Sequence, residues 1–160
     1  MYFTWLEETP VGRLLLAGDD DTLHYVAFDD GNSRQRHDLP KSDWVRNDGP
    51  FREAVRQLKA YFAGRLTEFD LLVEGRGTDF QKKVWNALRE VPYGQTTSYG
   101  QIAAAIGQPT ASRAVGMANG RNPISIIVPC HRIIGSSGKL VGYGGGLDRK
   151  TKLLQLEGAV

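Results

Sequence analysis

Ser98-Tyr99-Gly100-Gln101-Ile102-Ala103-Ala104-Ala105-Ile106-Gly107-Gln108-Pro109-Thr110-Ala111-Ser112-Arg113-Ala114-Val115-Gly116-Met117 is the stretch from which the rest of this chain can be read. Ser98 followed three residues later by Gln101 is a capping-box pattern, in which serine oxygen and glutamine side chain satisfy each other's backbone N–H. Ile102, Ala103 and Ile106 follow at helical spacing, and Gly107-Gln108-Pro109 breaks the chain. Thr110 is placed to cap a second helix running through Ala111, Ser112, Arg113, Ala114, Val115 and Met117. Two short helices across a three-residue, glycine-containing turn form a helix-turn-helix pattern. The small residues Ala111, Ser112, Ala114 and Gly116 allow a very close approach to the second helix. Another helix and a nucleic-acid backbone both fit that approach.

Downstream, the apolar run Ile124 to Val128 ends in Pro129-Cys130-His131-Arg132, and Cys130 is the only cysteine in the chain. One cysteine cannot form an intramolecular disulfide or anchor a Cys-rich zinc site. Free cysteine often serves as a small buried hydrophobe. Here the flanking proline, imidazole and guanidinium favour a reactive thiol, because nearby cations stabilise the nucleophilic thiolate. Glycine-rich segments follow at Gly135-Ser136-Ser137-Gly138 and Gly142-Tyr143-Gly144-Gly145-Gly146. They let a backbone approach a ligand closely but match no phosphate-cradling motif. Asp148–Leu156 reads as a short closing helix, with Leu153, Leu154 and Leu156 ahead of Glu157-Gly158.

Upstream, Thr78-Asp79-Phe80-Gln81 is another capping-box pattern, with Phe80, Val84, Trp85, Leu88 and Val91 on one face and Pro92-Tyr93-Gly94 as the stop. Glu74-Gly75-Arg76-Gly77 is the expected linker, dividing the chain into domains 1–74 and 75–160. The first domain opens as a meander of Tyr2–Glu7, Arg13–Ala17 and Leu23–Phe28, with a turn at Thr9–Gly12. Residues 31–49 read as polar loop, Pro50–Gly64 as a helix ending at Gly64, and Phe69–Val73 as a further strand. The expected fold class is α+β: an antiparallel sheet with a helix, then a helical domain containing a winged helix-turn-helix.

The net charge of +2 conceals a division: residues 1–74 hold nine Lys/Arg against fourteen Asp/Glu, and residues 75–160 hold eleven against four. A basic second half suits a polyanion partner. No stretch approaches the roughly 20 apolar residues of a membrane span. Met1–Glu8 lacks the basic-then-apolar order of a secretory signal. With a lone cysteine, the expectation is a cytoplasmic protein in a reducing setting, with no membrane partner, no cofactor and no metal.

Asn122-Pro123-Ile124-Ser125-Ile126-Ile127-Val128-Pro129-Cys130-His131-Arg132 resembles the active-site signature of the O6-alkylguanine-DNA alkyltransferases. The likeness extends to Thr97-Ser98-Tyr99, Ala114-Val115-Gly116, Gly142–Leu147 and the Leu-Glu-Gly at 156–158. It covers about residues 78–158 strongly; the first half is similar to that family's ribonuclease H-like domain in size and strand-then-helix order. The resemblance implies DNA repair by direct reversal. The alkyl group of O6-alkylguanine, and less efficiently of O4-alkylthymine, would pass once and irreversibly to Cys130 after base flipping. His131 would act as base through a water, Glu157 would orient it, and Asn122 would shape the loop. Tyr99 would contact DNA and protonate the departing guanine, and Arg113 would fill the gap left by the flipped nucleotide. Ser98, Ala111, Ser112, Gly116 and Ser136 would contact DNA, and Tyr143, Gly144, Val128 and Pro129 would line the base pocket. The implied partner is double-stranded DNA bound through its minor groove by a monomer able to cluster along the duplex.

Some relatives bind zinc through cysteines in the first domain, which this chain lacks. Gly144 stands where some relatives carry serine, implying a less crowded pocket. A non-repairing lesion sensor is the alternative, but such relatives lack the acceptor cysteine. A helix-turn-helix regulator with a redox cysteine would need a dimer surface that the sequence does not display. A Cys–His hydrolase would not call for a basic second half.

Overall fold

The computed structural model describes residues 1–29, 39–135, 138, 143 and 146–160. Strands β1 (Tyr2–Leu6), β2 (Leu14–Gly18) and β3 (Leu23–Phe28) form the expected antiparallel meander. The turn before β2 needs Gly12 at φ +87°, a conformation that side-chain-bearing residues rarely adopt. All five residues of β2 are buried, as its unbroken apolar run requires of a central strand. Helix α1 (Arg52–Phe62) follows a single 3₁₀ turn at Gly49–Phe51 and buries Ala54, Gln57, Leu58 and Tyr61, spaced three and four apart. It ends, as expected, with Gly64 in the left-handed region at φ +76°.

Two strand expectations need correcting. The fourth strand is β4 (Val45–Arg46), inside the stretch read as loop, and it pairs parallel with β1, so the sheet is mixed, in the order β3-β2-β1-β4. Its two residues are exposed and carry no periodicity; the free edge of β1 decides the pairing. Phe69–Val73 forms no strand, and only Val73 bridges to Leu23. The reason is competition for the edge of β3. Leu72 and Glu74 bond across Leu23, while Pro123 and Ser125 bond across Val26 (Val26 N–H to Pro123 O 3.0 Å, Ser125 N–H to Val26 O 3.1 Å). The loop that leads to Cys130 is thereby strapped to the sheet of the first half, and an aggregation-prone edge is covered.

The second half contains α2 (Asp79–Arg89), α3 (Tyr99–Ala105), α4 (Ser112–Gly120) and α5 (Leu147–Leu156). Both expected capping boxes form, Thr78 with Gln81 and Ser98 with Gln101. Thr110 does not cap α4; Ala111 holds that position without a side-chain bond. The Ala111 N–H already bonds Gln108 O at 2.9 Å, so the chain has turned past the exposed Thr110 before the helix begins. Trp85 Nε1 donates to Ala118 O at 2.9 Å and ties α2 to α4. One apolar cluster runs through both halves, joining Leu14, Val26 and Phe28 to Ile124, Val128 and Leu153. The wing expected after the helix-turn-helix falls where most residues lie outside the described set. No described helix is long and apolar enough to cross a membrane.

Candidate active site around Cys130

Cys130 opens a single 3₁₀ turn, Cys130–Arg132, and is only 4% exposed. Asn122, 1% exposed, organises the loop before it. Its Oδ1 accepts from Ile124 N–H at 3.0 Å, and its Nδ2 donates to Val128 O at 2.9 Å and sits 3.1 Å from Cys130 Sγ. A donor aimed at sulfur favours the charged thiolate. Asn119, on α4, donates to the Cys130 carbonyl at 3.4 Å, so the second helix of the motif touches the backbone of the cysteine. Between these anchors, Ile126 is buried at φ +73°. A β-branched residue there is a true outlier, costing on the order of 1–3 kcal/mol, which the surrounding contacts must hold in place.

Behind the sulfur lies a buried charge network. His131 is fully buried, and its Nε2 donates to Glu157 Oε2 at 2.7 Å. Arg132 Nε and Nη2 donate to Glu157 Oε1 and Oε2 at 2.8 and 3.0 Å, and its Nη1 donates to Val91 O at 2.7 Å. Tyr61 Oη, from α1, donates to Glu157 Oε2 at 2.5 Å. Burial alone pushes the Glu157 carboxyl up, but the bonds from His131, Arg132 and Tyr61 outweigh it and hold it at about 2. Glu157 is therefore ionised and can only accept, which fixes the proton of neutral His131 on Nε2 and leaves Nδ1 with a lone pair. Nδ1 is buried and has no hydrogen-bond partner among the described residues. Burial holds His131 below its ordinary 6.5 despite the pull of Glu157. A neutral imidazole beside a thiol is a base.

Tyr99 is half-buried at the start of α3, and burial together with neighbouring Cys130 pushes its phenol up, so it remains a proton donor. Its ring lies along Gly116, where an added Cβ would sit 3.6 Å away. On α4, Arg113, Ala114 and Met117 are exposed while Val115, Ala118 and Asn119 are buried. Ala111 and Ser112 are half-buried at the helix start. The Ser98 hydroxyl is engaged in capping α3, accepting from Gln101 N–H at 3.1 Å. Val128 and Pro129 are buried beside the sulfur, and Tyr143 packs edge-on against Phe28 of β3 at 6.0 Å between centroids. Ser136 and Gly144 lie outside the described residues. The structure thus gathers Cys130, Asn122, His131, Glu157 and Tyr99, and sets Arg113 on a separate, outward face.

Three participants escaped the sequence reading. Arg132 appeared only as a neighbour of the thiol, yet it carries two of the bonds to Glu157. Lys150 is fully buried on α5; burial pushes its amine down to about 8, while Cys130 opposes that shift. Positions 150, 153, 154 and 157 share a helical face, so a lysine on that leucine face was a usable signal. Tyr61 falls within the helix read at 50–64, but nothing local names a partner 96 positions away. Among the described residues, no group of three or more His, Cys, Asp or Glu side chains is placed to hold a metal ion.

Residues 1–74 match the 6-O-methylguanine DNA methyltransferase ribonuclease-like domain, and residues 79–159 match the DNA binding domain of the same description. A methylated-DNA–protein-cysteine methyltransferase of Methanosarcina acetivorans is 58% identical over 99% of both chains. One from Mycobacterium tuberculosis is 55% identical over 94% of this chain and 88% of its own. The crystal structure of Mycobacterium tuberculosis OGT in complex with DNA superposes with a TM-score of 0.90, at 52% identity over 99% of this chain and 94% of that one. The O6-methylguanine-DNA methyltransferase of Pyrococcus kodakaraensis gives 0.72 at 29% identity, covering 98% of both.

Proposed function

Because the chain belongs to the 6-O-methylguanine DNA methyltransferase family, we propose that it repairs alkylated DNA by moving the alkyl group from guanine O6 to its own Cys130. The observation that carries this reading is the buried relay: Sγ beside the Asn122 amide, and His131 locked by Glu157 with its basic nitrogen free. His131 Nδ1 takes the thiol proton through a water. The thiolate then attacks the alkyl carbon, a C–S bond forms, and the C–O6 bond breaks with its electron pair passing to the guanine. Tyr99 supplies the proton that neutralises the departing base. The product is a thioether, which neither His131 nor water can cleave, so each molecule acts once. The intact acceptor favours repair over lesion sensing.

The protein binds DNA, and α4 supplies the face for it. Arg113 projects from the exposed side, where it can fill the gap left by a flipped nucleotide. The small Ala114 beside it, with Gly116 against Tyr99, permits the close approach that minor-groove docking needs. Ala111, Ser112 and Ser98 lie at the helix starts facing the same partner, and Tyr143 borders the base pocket. A monomer suffices, because every group of the relay comes from one chain; clustering along DNA and a cytoplasmic setting complete the proposal.

Intact-protein mass spectrometry after incubation with duplex DNA carrying O6-methylguanine tests it. One added methyl, mapped to Cys130 and saturating at one per molecule, is the expected result. Lesion binding without modification would transfer the chain to the sensor class.

A further inference from the structure

The relay behind Cys130 is completed from outside the helical domain. Tyr61 sits on α1 of the first half, is wholly buried, and donates to Glu157 Oε2, the same oxygen that accepts the His131 proton and one Arg132 bond. Its ring is held by Phe62, Phe69 and Tyr93 at centroid separations of 5.4, 5.4 and 6.1 Å, so the hydroxyl cannot swing away. Burial and the Glu157 charge both push the Tyr61 phenol up, so it keeps its proton and donates to the carboxylate.

We propose that Tyr61 is a positioning residue for alkyl transfer, through which the amino-terminal domain sets the basicity of His131 by sharing the negative charge of Glu157. A carboxylate oxygen stabilised by three donors attracts the imidazolium less strongly than one stabilised by two. Removing the Tyr61 hydroxyl concentrates charge on Oε2, stabilises protonated His131 and raises the pH at which His131 becomes a free base. The groups facing His131 are Glu157 and Lys150 from the α5 end, Arg132 and Cys130 from its own turn, Tyr61 from α1 and, beyond Tyr61, Tyr93 from the α2–α3 connection. Deleting the hydroxyl of Tyr61 or Tyr93 leaves Glu157, Arg132, Lys150 and Cys130 in the cluster. Tyr93 serves as the control, since its hydroxyl bonds the Leu156 carbonyl at 3.3 Å rather than the carboxylate.

This rests on the alkyl-transfer reading, and the test separates the two. The imidazole of His131 is titrated by NMR in the full-length protein, which needs no repair activity, and single-turnover transfer from O6-methylguanine duplex is followed from pH 5 to 9. In Tyr61→Phe, the His131 titration and the acid limb of the transfer rate are expected to rise together by roughly half a unit to one unit. The alkaline plateau and DNA affinity are expected to stay near the parent values, and Tyr93→Phe to leave the limb in place. 3-Fluorotyrosine at position 61, a stronger donor with the ring retained, is expected to move the limb down, so the proposal stays testable if Tyr61→Phe folds poorly. An unmoved titration in both variants, or a uniform rate loss at every pH, would overturn it. A His131 shift in a protein whose Cys130 never gains a methyl would leave Tyr61 in place and overturn the transfer reading instead.

Discussion

The second half of this molecule has an inside and an outside that obey different rules. Inside, the Arg132–Glu157 ion pair and neutral His131 form a polar cluster with almost no exposure, each group held by hydrogen bonds. Outside, the α4 surface carries Arg113, Ala114 and Met117, the last 61% exposed, with no ion pair recorded for Arg113 among the described residues. The ion pair cannot lose either partner without stranding a buried charge, so under the proposed function chemistry and stability are joined there. The exposed face can lose a side chain with little structural consequence, so under the proposed function binding is free to vary without the fold. Fold and reaction are coupled on one side of α4 and uncoupled on the other.

The largest expected effect breaks the comparison at its centre. Cys130→Ala removes the acceptor and leaves both regions standing; transfer should vanish by mass spectrometry while affinity for lesion duplex persists. Residual methyl uptake would place the acceptor elsewhere. Next, Glu157→Ala strands Arg132 and His131 inside and should cost about 3–5 kcal/mol in denaturant unfolding, along with most of the transfer rate. A change under about 1 kcal/mol would mean that the cluster is far wetter than the burial indicates.

Arg113→Ala should leave unfolding unchanged and slow repair of duplex lesions by roughly tenfold or more, since extrusion of a base costs a few kcal/mol. Reaction with free O6-benzylguanine should be nearly unaffected; equal losses on both substrates would end the finger role. Acid should separate the regions further. Glu157 is held at about 2 in the fold against 4.5 ordinarily, so its contribution is present above the ordinary value and lost as pH falls towards 2. His131 is held below 6.5, so unfolding takes up a proton as pH falls below that value. Both make the unfolded chain bind more protons, and melting temperature should fall from pH 6.5 downwards. In Glu157→Gln the part of the decline below about 4.5 should flatten, while Arg113→Ala should retain it. The mildest effect is ionic: DNA affinity should weaken steadily with added salt while the melting temperature barely moves.

Much of this arrangement was legible because its signals are local. A serine or threonine three residues before glutamine specifies a helix start within one turn, and both such patterns formed. The helical spacing of residues 50–64 located α1, although its buried Gln57 carries no apolar signal. Thr110 misled because cap preference is weak beside the backbone turn preceding α4, and Val45–Arg46 was missed because two exposed residues contain no period to read. Ile126 likewise looked like one more residue of an apolar run, although its backbone lies in the left-handed region between the two residues, Ile124 and Val128, that Asn122 bonds.

By itself, the sequence determined the lone thiol with its adjacent imidazole, the helix-turn-helix and the division of charge, because each depends on residues near one another along the chain. Only the tertiary structure decided that the acceptor loop is strapped to β3 at Val26 and that Tyr61 closes the carboxylate of Glu157. Those contacts join positions about a hundred residues apart, and no local preference encodes a partner that appears only when the two halves share one core.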